Sequence, residues 1–463
     1  MQETDATRDE WAERLAAFAT TDFELDEELR RGILVRVVDT FGTALGATGS
    51  DASDVVERYA GDRGDHGRHT VWGTSATTDV EQAALVNGVK ARYLDFNDAY
   101  YGMSSCHPSD IIPTLFAGAV ESGADEATFL RAIAIGYEAI MAASDVMEPR
   151  LRGFDHVQMT ILGALTGSAH VMGLTEQQAR HAVGLGVTSH VSTRQSRTGQ
   201  LSMWKAFAAP DACRHGLYSC RLAACGAEGP IAPFTGLNGA FRRVMGWSET
   251  EFPVLDLEAG RVPRGIIGSQ IKKYPCGSVG QSAAQAGEDL VEMGLRLPDV
   301  AHIDIRLDPK AYPLMVSPEK LAPRTRETAD HSIPYLIVSA LKRGMIDVAS
   351  FEPAAILDED VHAFLASSVT ASEDPALAGG HERGFPIGLT VTRTDGSTFS
   401  FEVERIPGTP GNEMSDDELR EKFRRNLHRS RIADRADELW DTTWSLGTGG
   451  TGTIDRLGAL LRA

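Results

Sequence analysis

The feature that most constrains this chain is a pattern of apolar residues at helical spacing that runs almost without a break from about Glu27 to about Gly246. Apolar side chains recur three and four positions apart in segments such as ILVRVVDTFGTALG, IIPTLFAGAVESG and FLRAIAIGYEAIMAASDVM. This spacing puts them on one face of an α-helix. Several of these helices are apolar nearly all round, which is typical of helices buried in a core. The pattern predicts a helical core that occupies most of the first half of the chain.

The pattern changes after about Pro263. VAHIDIRL (300–307) alternates like a half-buried strand, and DHSIPYLIVSALKRG (330–344) predicts a helix. The segment 387–405 predicts a hairpin that turns at Asp395-Gly396. A helical pattern then returns, with Ser415 and Glu418 as a capping box. We therefore predict a mainly α fold with an α+β segment inserted between helical parts.

The charge balance excludes several classes of partner. Asp and Glu outnumber Lys and Arg by 65 to 45, which repels phosphate backbones and anionic lipids. No run reaches the roughly 18 apolar residues of a membrane span, and the polar, acidic N-terminus argues against a secretory signal. We expect a cytoplasmic protein with an acidic surface and with neither nucleic-acid nor membrane partners. An anionic substrate would then need a local basic pocket.

Five cysteines occur without a C-x-x-C pair. Three of them, Cys213, Cys220 and Cys225, could in principle ligate an iron–sulfur cluster. They lie in one Ala-rich helical segment, however, where buried structural cysteine is the favoured interpretation. We predict no cluster.

Polar residues between the apolar helices indicate where a site could lie. The loop YLDFNDAYYGMSSCHPSD (93–110) holds Asp95, Asp98 and His107. A carboxylate and an imidazole this close in sequence can act as base, acid or orienting group. The alternative is that the acidic residues cap helices and that His107 is an ordinary loop histidine.

Three further clusters supply cations. RLRGFDHVQMT (150–160) and STRQSRTGQLSMWKAF (192–207) bring arginines, a second histidine and a lysine to the starts of apolar helices, and SQIKKYPCGSVGQS (269–282) adds a lysine pair. Their candidate residues are Arg150, Arg152, Asp155, His156, Arg194, Arg197, Lys205, Lys272 and Lys273. Arginine forks can bind carboxylates through two hydrogen bonds. Surface turns and snorkelling lysines remain the alternatives.

Together these residues suit the removal of water from a hydroxy-polycarboxylate. A base must take the proton beside a carboxylate, and an acid must protonate the leaving hydroxyl. Cations must neutralise the carboxylates and the negative charge that develops on them.

Nine segments in order resemble the MmgE/PrpD family from about residue 10 to about residue 430. They are LDFND…HPSDIIPTLFAGA, GYEA, GFDHVQ, GLTEQQARHAVGLG, SMWKAFAAPDACRHGL, KKYPCGS, DHSIPYLIVSAL, DGSTFSFEV and PGTPGNEMSDDELREKF. The resemblance implies a large all-helical domain built from residues 1–265 and 406–463 and a smaller α+β lid domain at 266–405. It also implies a homodimer, a site in the cleft between the domains, and chemistry without a metal or an organic cofactor.

The resemblance also implies roles for individual residues. The family's acidic loop motif falls on Asp95 and Asp98, and its HPS histidine falls on His107. Its second histidine, its helix-start lysine and its DHS-x-x-Y tyrosine match His156, Lys205 and Tyr335, and its K-x-x-P lysine matches Lys272. The candidate set is therefore catalytic Asp95, Asp98, His107, His156, Lys205 and Tyr335, with Arg152, Arg194, Arg197, Lys272 and Lys273 as substrate-binding residues.

The family includes 2-methylcitrate dehydratase, cis-aconitate decarboxylase and iminodisuccinate epimerase, and all three exchange a proton beside a carboxylate. Ala99 stands where decarboxylase-like members carry Thr, and Gly277 stands where they carry His. A histidine of the dehydratases is also missing, near Val279. We expect a lyase that dehydrates 2-methylcitrate in propionate catabolism. The alternatives are decarboxylation of cis-aconitate, epimerisation of iminodisuccinate, and an inactive protein that binds tricarboxylates.

Overall fold

Helices dominate the structure, a computed structural model that describes residues 8–61, 67–198, 201–450 and 452–463. Over these residues the helices are α1 (Glu10–Ala19), α2 (Glu27–Gly46), α3 (Asp51–Gly61), α4 (Val80–Tyr93), α5 (Ile112–Ser122), α6 (Glu126–Val146), α7 (Val157–Val171), α8 (Glu176–Ser189), α9 (Trp204–Ala224), α10 (Gln281–Glu292), α11 (Tyr312–Met315), α12 (Pro318–Leu321), α13 (Arg326–Ala329), α14 (Ile333–Arg343), α15 (Pro353–Ile356), α16 (Glu359–Ser367), α17 (Asp416–Leu427), α18 (Ala436–Trp444) and α19 (Thr453–Leu460). The strands are β1 (His69–Thr70), β2 (Thr77–Thr78), β3 (Tyr100–Tyr101), β4 (Ser105–Cys106), β5 (Val300–Leu307), β6 (Val369–Glu373), β7 (Ile387–Arg393) and β8 (Thr398–Val403). The predicted mainly α fold class is confirmed.

The larger apolar core, here called the helical part, draws its buried residues from 11–271 and 419–461. Small residues let its central helices approach closely: a Cβ added at Gly163 on α7 would lie 2.4 Å from the carbonyl oxygen of Gly136 on α6. Near the C-terminus, α17 returns to α2, where a Cβ at Gly42 would lie 2.9 Å from the Phe423 ring. Both chain ends therefore contribute to one core.

Helix α6 is long and apolar enough, by length and composition alone, to cross a membrane. In the fold, 78% of its most apolar window is buried against other helices. Its hydropathy is that of a core helix.

The second apolar core, here called the α+β part, draws its buried residues from 274–406. Its sheet has the strand order β6-β5-β7-β8, in which β5 and β6 are parallel and the other pairs are antiparallel. The β7–β8 hairpin turns at Gly396, whose φ is 85°, and α14 packs on α10. The predicted strand at 300–307, the hairpin and the Ser415–Glu418 capping box are confirmed. The helix predicted at 330–344 spans only Ile333–Arg343 and begins after its N-cap Ser332. The predicted domain boundaries and the lid function of this part remain predictions.

Candidate active site

A cavity of about 440 Å³ is lined by both the helical part and the α+β part. In a chain whose formal net charge is −20, its described lining is strongly basic. The cationic side chains are Arg92, Arg150, Arg194, Arg197, Lys205, Lys310 and Lys320, against the single lining carboxylate of Asp95. The cavity is therefore the local basic pocket that an anionic substrate requires.

Asp95 lies at the centre of the buried charges. It follows α4 with φ of +50°, a left-handed conformation that costs a non-glycine residue energy and that is common at functional sites. Its carboxylate lies 2.5 Å from Nζ of Lys272, 3.0 Å from Nζ of Lys205 and 3.2 Å from Arg92. Burial by itself would raise the pKa of Asp95, but the three cations outweigh it and hold the pKa well below its usual value. Asp95 is thus an anion that positions the ammonium groups.

Lys205, in the first turn of α9, is buried and points toward the α+β part. Its Nζ lies 3.2 Å from Asp330 and 3.3 Å from Nδ1 of His331. Burial opposes the ionisation of Asp330, but Lys205 and then His331 lower the pKa of that carboxyl to about 2. The acceptor atoms of Asp95, Asp330 and His331 lie within 4.8 Å of one another, a spacing that could hold a metal ion. The ammonium of Lys205 already takes the place of that cation.

His156 and Asp155, which directly precede α7, form a carboxylate–imidazole pair. Oδ1 of Asp155 lies 2.6 Å from Nδ1 of His156, and its Oδ2 accepts a hydrogen bond from Nε of Arg197 at 2.9 Å. Nε2 of His156 is buried without a hydrogen-bond partner in the described residues. Burial lowers the pKa of His156 despite the opposing effect of Asp155. The neutral ring donates from Nδ1 and presents the lone pair of Nε2.

His107 supplies a second imidazole beside it. The short β3–β4 hairpin returns the chain to Asp98, whose carbonyl oxygen lies 2.7 Å from Nδ1 of His107. The rings of His107 and His156 are 5.5 Å apart between centroids. Burial and then the charge of Arg92 hold the pKa of His107 well below its usual value. Both rings are therefore neutral in the free protein near pH 7.

The structure brings six of the predicted site residues to the cavity wall: Asp95, His107, His156, Arg194, Arg197 and Lys205. Lys272 is fully buried behind Asp95 and also donates to the Asp95 carbonyl oxygen at 2.8 Å. Lys272 therefore positions Asp95 rather than facing the cavity.

Four other predicted residues do not line the cavity. The Asp98 carboxylate accepts hydrogen bonds from Tyr137 Oη at 2.9 Å and the Ser109 amide at 3.0 Å, so it braces the loop that carries His107. Tyr335 is buried and donates to the Ser350 carbonyl oxygen at 2.5 Å. Exposed Arg152 reaches Glu251 at 3.4 Å, and Lys273 donates to Gln285 at 2.8 Å. The roles assigned to them from sequence remain predictions.

Sequence reasoning missed several residues of the site. Arg92, Lys310, Lys320 and His331 line the cavity, and Asp330 orients His331. Arg92 lies three residues before Asp95 on an apolar helix, a spacing that could have identified an inward-facing ion pair. Asp330 and His331 stand in the DHS-x-x-Y motif, of which the sequence prediction included only Tyr335. No pattern in the sequence marks Lys310 or Lys320 as site residues.

The thiols do not suit a cluster. Cys213 and Cys220 are buried in α9, where burial raises the pKa of each thiol, and Cys220 donates to the Leu165 carbonyl oxygen. Cys225 is exposed. Cluster ligation requires thiolates, and this environment disfavours them.

Two models of one protein family match most of this chain. The MmgE/PrpD N-terminal domain matches residues 13–253, and the MmgE/PrpD C-terminal domain matches residues 274–446. The chain belongs to the MmgE/PrpD family. Its cavity wall draws on both matched regions, since Asp95, His156 and Lys205 lie in the first and His331 lies in the second.

Curated relatives cover most of the chain. A 2-methylcitrate dehydratase of Salmonella typhimurium is 26% identical, over 77% of this chain and 77% of its own. Alkylcitrate dehydratase phiI of a fungal species is 25% identical, over 77% of this chain and 74% of its own. Cis-aconitate decarboxylase of Mus musculus is 24% identical, over 87% of this chain and 83% of its own. MmgE/PrpD relatives thus include both dehydratases and a decarboxylase.

Proposed function

We propose that this protein is a hydro-lyase that converts 2-methylcitrate to 2-methyl-cis-aconitate and uses only its own side chains for the chemistry. The observation that carries the proposal is Nε2 of His156, which has no hydrogen-bond partner among the described residues and belongs to a residue in the wall of a cavity lined by cations. Asp155 fixes the tautomer that makes Nε2 a base. The names of several relatives point to the same reaction.

The cations would hold the three carboxylates. Arg194 has no ion pair among the described residues, and Nη2 of Arg197 is buried without a hydrogen-bond partner there. A guanidinium with unused donors binds a carboxylate strongly, through charge-assisted hydrogen bonds. These groups would also stabilise the negative charge that builds up on the carboxylate beside the reacting carbon.

The elimination then runs through two neighbouring carbons. Nε2 of His156 takes the proton from the carbon beside a carboxylate, and the electron pair of that C–H bond forms the C=C bond as the C–O bond breaks. The leaving hydroxyl takes one proton and departs as water. General-base catalysis of this kind contributes about 100- to 10,000-fold in rate. His107, whose ring lies 5.5 Å from that of His156 between centroids, would contact the same face of the substrate.

Product analysis tests the proposal against the rival chemistries. The protein is incubated separately with 2-methylcitrate, cis-aconitate and iminodisuccinate in deuterated water, and NMR and a CO₂ assay follow each reaction. We expect the unsaturated tricarboxylate from 2-methylcitrate alone. Release of CO₂ from cis-aconitate would mark a decarboxylase, and deuterium exchange without loss of water would mark an epimerase. Tight tricarboxylate binding without any turnover would mark an inactive binding protein.

His156→Asn should abolish the reaction. The matched control is His428→Asn, because His428 is exposed on the surface after α17. Equal activity in both variants would remove His156 from the mechanism.

We further propose a cytoplasmic homodimer with an acidic surface. The support is the net charge of −20 and three exposed apolar side chains, Val191 before α9, Trp204 at its start and Tyr218 further along it. Light scattering on the purified protein should give twice the 49.9 kDa chain mass; the single-chain mass would refute the dimer.

A further inference from the structure

Among the described residues, four imidazoles line the cavity, those of His107, His156, His331 and His381. His331 comes from the α+β part. Its Nδ1 lies 2.5 Å from Oδ1 of Asp330, and its Nε2 lies 3.7 Å from Oδ2 of Asp95. Because Asp330 is anionic, Nδ1 of His331 donates the hydrogen bond. Nε2 is then the ring nitrogen left for a ligand.

Gly277 makes the room for this ring. A Cβ built at Gly277 would lie 2.9 Å from Nε2 of His331 and 3.1 Å from its Cδ2, closer than such atoms pack. The amide of Gly277 donates to the carbonyl oxygen of Asp330 at 2.9 Å, which joins the two segments next to the ring. A side chain at 277 and the present position of the His331 ring therefore exclude each other.

The backbone at 277 does not itself require glycine. Its φ is −54° and its ψ is 143°, which any residue adopts. Glycine is therefore needed at this position because it leaves the space that the imidazole of His331 fills.

The charges around His331 change when an anion binds. In the free protein, burial and then the ammonium of Lys205 lower the pKa of His331, against the opposing effect of Asp330 and Asp95. A substrate with three carboxylates would add negative charge beside the ring and so favour the imidazolium. Proton uptake would then accompany binding.

We infer that His331 is a further catalytic residue, the proton donor to the leaving hydroxyl, and that Gly277 is the position that admits it. The inference rests on the proposed dehydration. The proton on Nε2 passes to the hydroxyl oxygen as the C–O bond breaks, which leaves water and a neutral imidazole. His156 carries the proton taken from carbon and releases it to solvent after the product leaves. Atoms and charge balance over the cycle.

The leaving group provides the test. A fluoro analogue, in which fluoride replaces the hydroxyl of the substrate, needs far less help from an acid, since fluoride leaves as a stable anion. With His331→Asn, kcat for the hydroxy substrate should fall by about 100-fold or more, while fluoride release from the analogue should stay within a few-fold of wild type. His156→Asn should lose both reactions, because each requires removal of the same C–H proton.

Gly277→Ala tests the same assignment without touching the imidazole. The added methyl group should displace the His331 ring and reproduce the selective loss on the hydroxy substrate, with little change in KM. Gly268→Ala is the matched control, because a Cβ at Gly268 meets nothing within 4 Å. Thermal melts identify any variant that fails to fold. If one of the two variants fails, the rate on the hydroxy substrate relative to the fluoro analogue in the other variant tests the role of His331.

The outcomes separate the two proposals. Equal losses on both substrates in His331→Asn, with an active wild type, would overturn the role of His331 and leave the dehydratase standing. A wild type that releases neither water nor fluoride would overturn the proposed function, and the role of His331 with it.

Discussion

The carboxylate of Asp155 lies 2.6 Å from Nδ1 of His156, a residue of the cavity wall, and so leaves the lone pair on the opposite nitrogen of that ring. Asp155→Asn keeps the shape but can present its amide N–H to Nδ1, which favours the wrong tautomer. We predict a fall in kcat of about 100- to 10,000-fold with little change in KM. Steady-state kinetics with Ser196→Ala alongside would check this, since Ser196 donates to the same carboxylate and its loss should cost far less.

The pH dependence follows from the same residue. Because the pKa of His156 is lowered by burial, its Nε2 stays deprotonated above the usual imidazole pKa of about 6.5. We predict that kcat/KM falls on the acid side of about pH 6.5, where His156 becomes protonated, and falls again as pH rises, because His331 must take up a proton when the substrate binds. Asp155 raises the pKa of His156, so Asp155→Asn should move the residual acid limb to lower pH. If the acid limb of Asp155→Asn moved to higher pH instead, the pairing of Asp155 with His156 would be contradicted.

The buried neutral histidines also affect stability, with a definite sign. Between their lowered folded pKa values and the unfolded value of about 6.5, the unfolded chain binds more protons. The free energy of unfolding should therefore decrease as pH falls below about 6.5. Urea denaturation at several pH values measures this free energy. The same measurement shows whether the loss of activity at acid pH comes from protonation of His156 or from unfolding.

Lys205 neutralises two buried carboxylates, so its loss should affect both activity and stability. Lys205→Met leaves Asp95 with Arg92 and Lys272, and Asp330 with His331. We predict a folded protein that is less stable by about 3 kcal/mol and that turns over at least about 100-fold more slowly. Lys342→Met, on the surface of α14, is the control. Near-normal turnover of Lys205→Met would exclude Lys205 from the reaction.

Substitution of Arg194 and of Arg152 should affect substrate binding differently. Arg194 lines the cavity, whereas Arg152 is exposed and reaches Glu251 instead. Arg194→Gln should raise KM for a tricarboxylate by about 10- to 100-fold, the equivalent of one charged hydrogen bond, and should leave kcat nearly unchanged. Arg152→Gln should leave both constants unchanged. The reverse pattern would mean that the substrate enters elsewhere.

Tyr335 should contribute to stability and not to turnover. Its hydroxyl is buried and donates to the Ser350 carbonyl oxygen at 2.5 Å. Tyr335→Phe should lower the free energy of unfolding by about 1–3 kcal/mol, because it leaves a buried acceptor unpaired, and kcat should stay within a few-fold of wild type. A large loss of kcat in a stable variant would restore the catalytic role predicted from the sequence.

Local patterns predicted most of the elements. The apolar spacing of 126–146, the alternation of 300–307 and the turn at Asp395-Gly396 each depend on neighbouring residues, and the structure confirms them. The motifs also located Asp95, His107, His156 and Lys205, which the fold brings to one cavity.

Which of the polar residues belong to the site could not be predicted, because it depends on contacts between distant parts of the chain. Asp98 and Tyr335 look catalytic in sequence, yet their polar atoms are used by Tyr137 and Ser350 in the fold. The position of the His331 ring depends on Gly277, which lies 54 positions earlier in the chain and against the ring in the fold. Neither relationship leaves a local signal in the sequence.

The most direct test is an assay of the purified, EDTA-treated protein with 2-methylcitrate at low and at high salt, following the ultraviolet absorbance of the conjugated product. The side-chain mechanism predicts steady growth of absorbance that is lost in His156→Asn and kept in His428→Asn. Silence of the wild type at both salt concentrations, in a protein that melts cooperatively, would contradict the dehydratase.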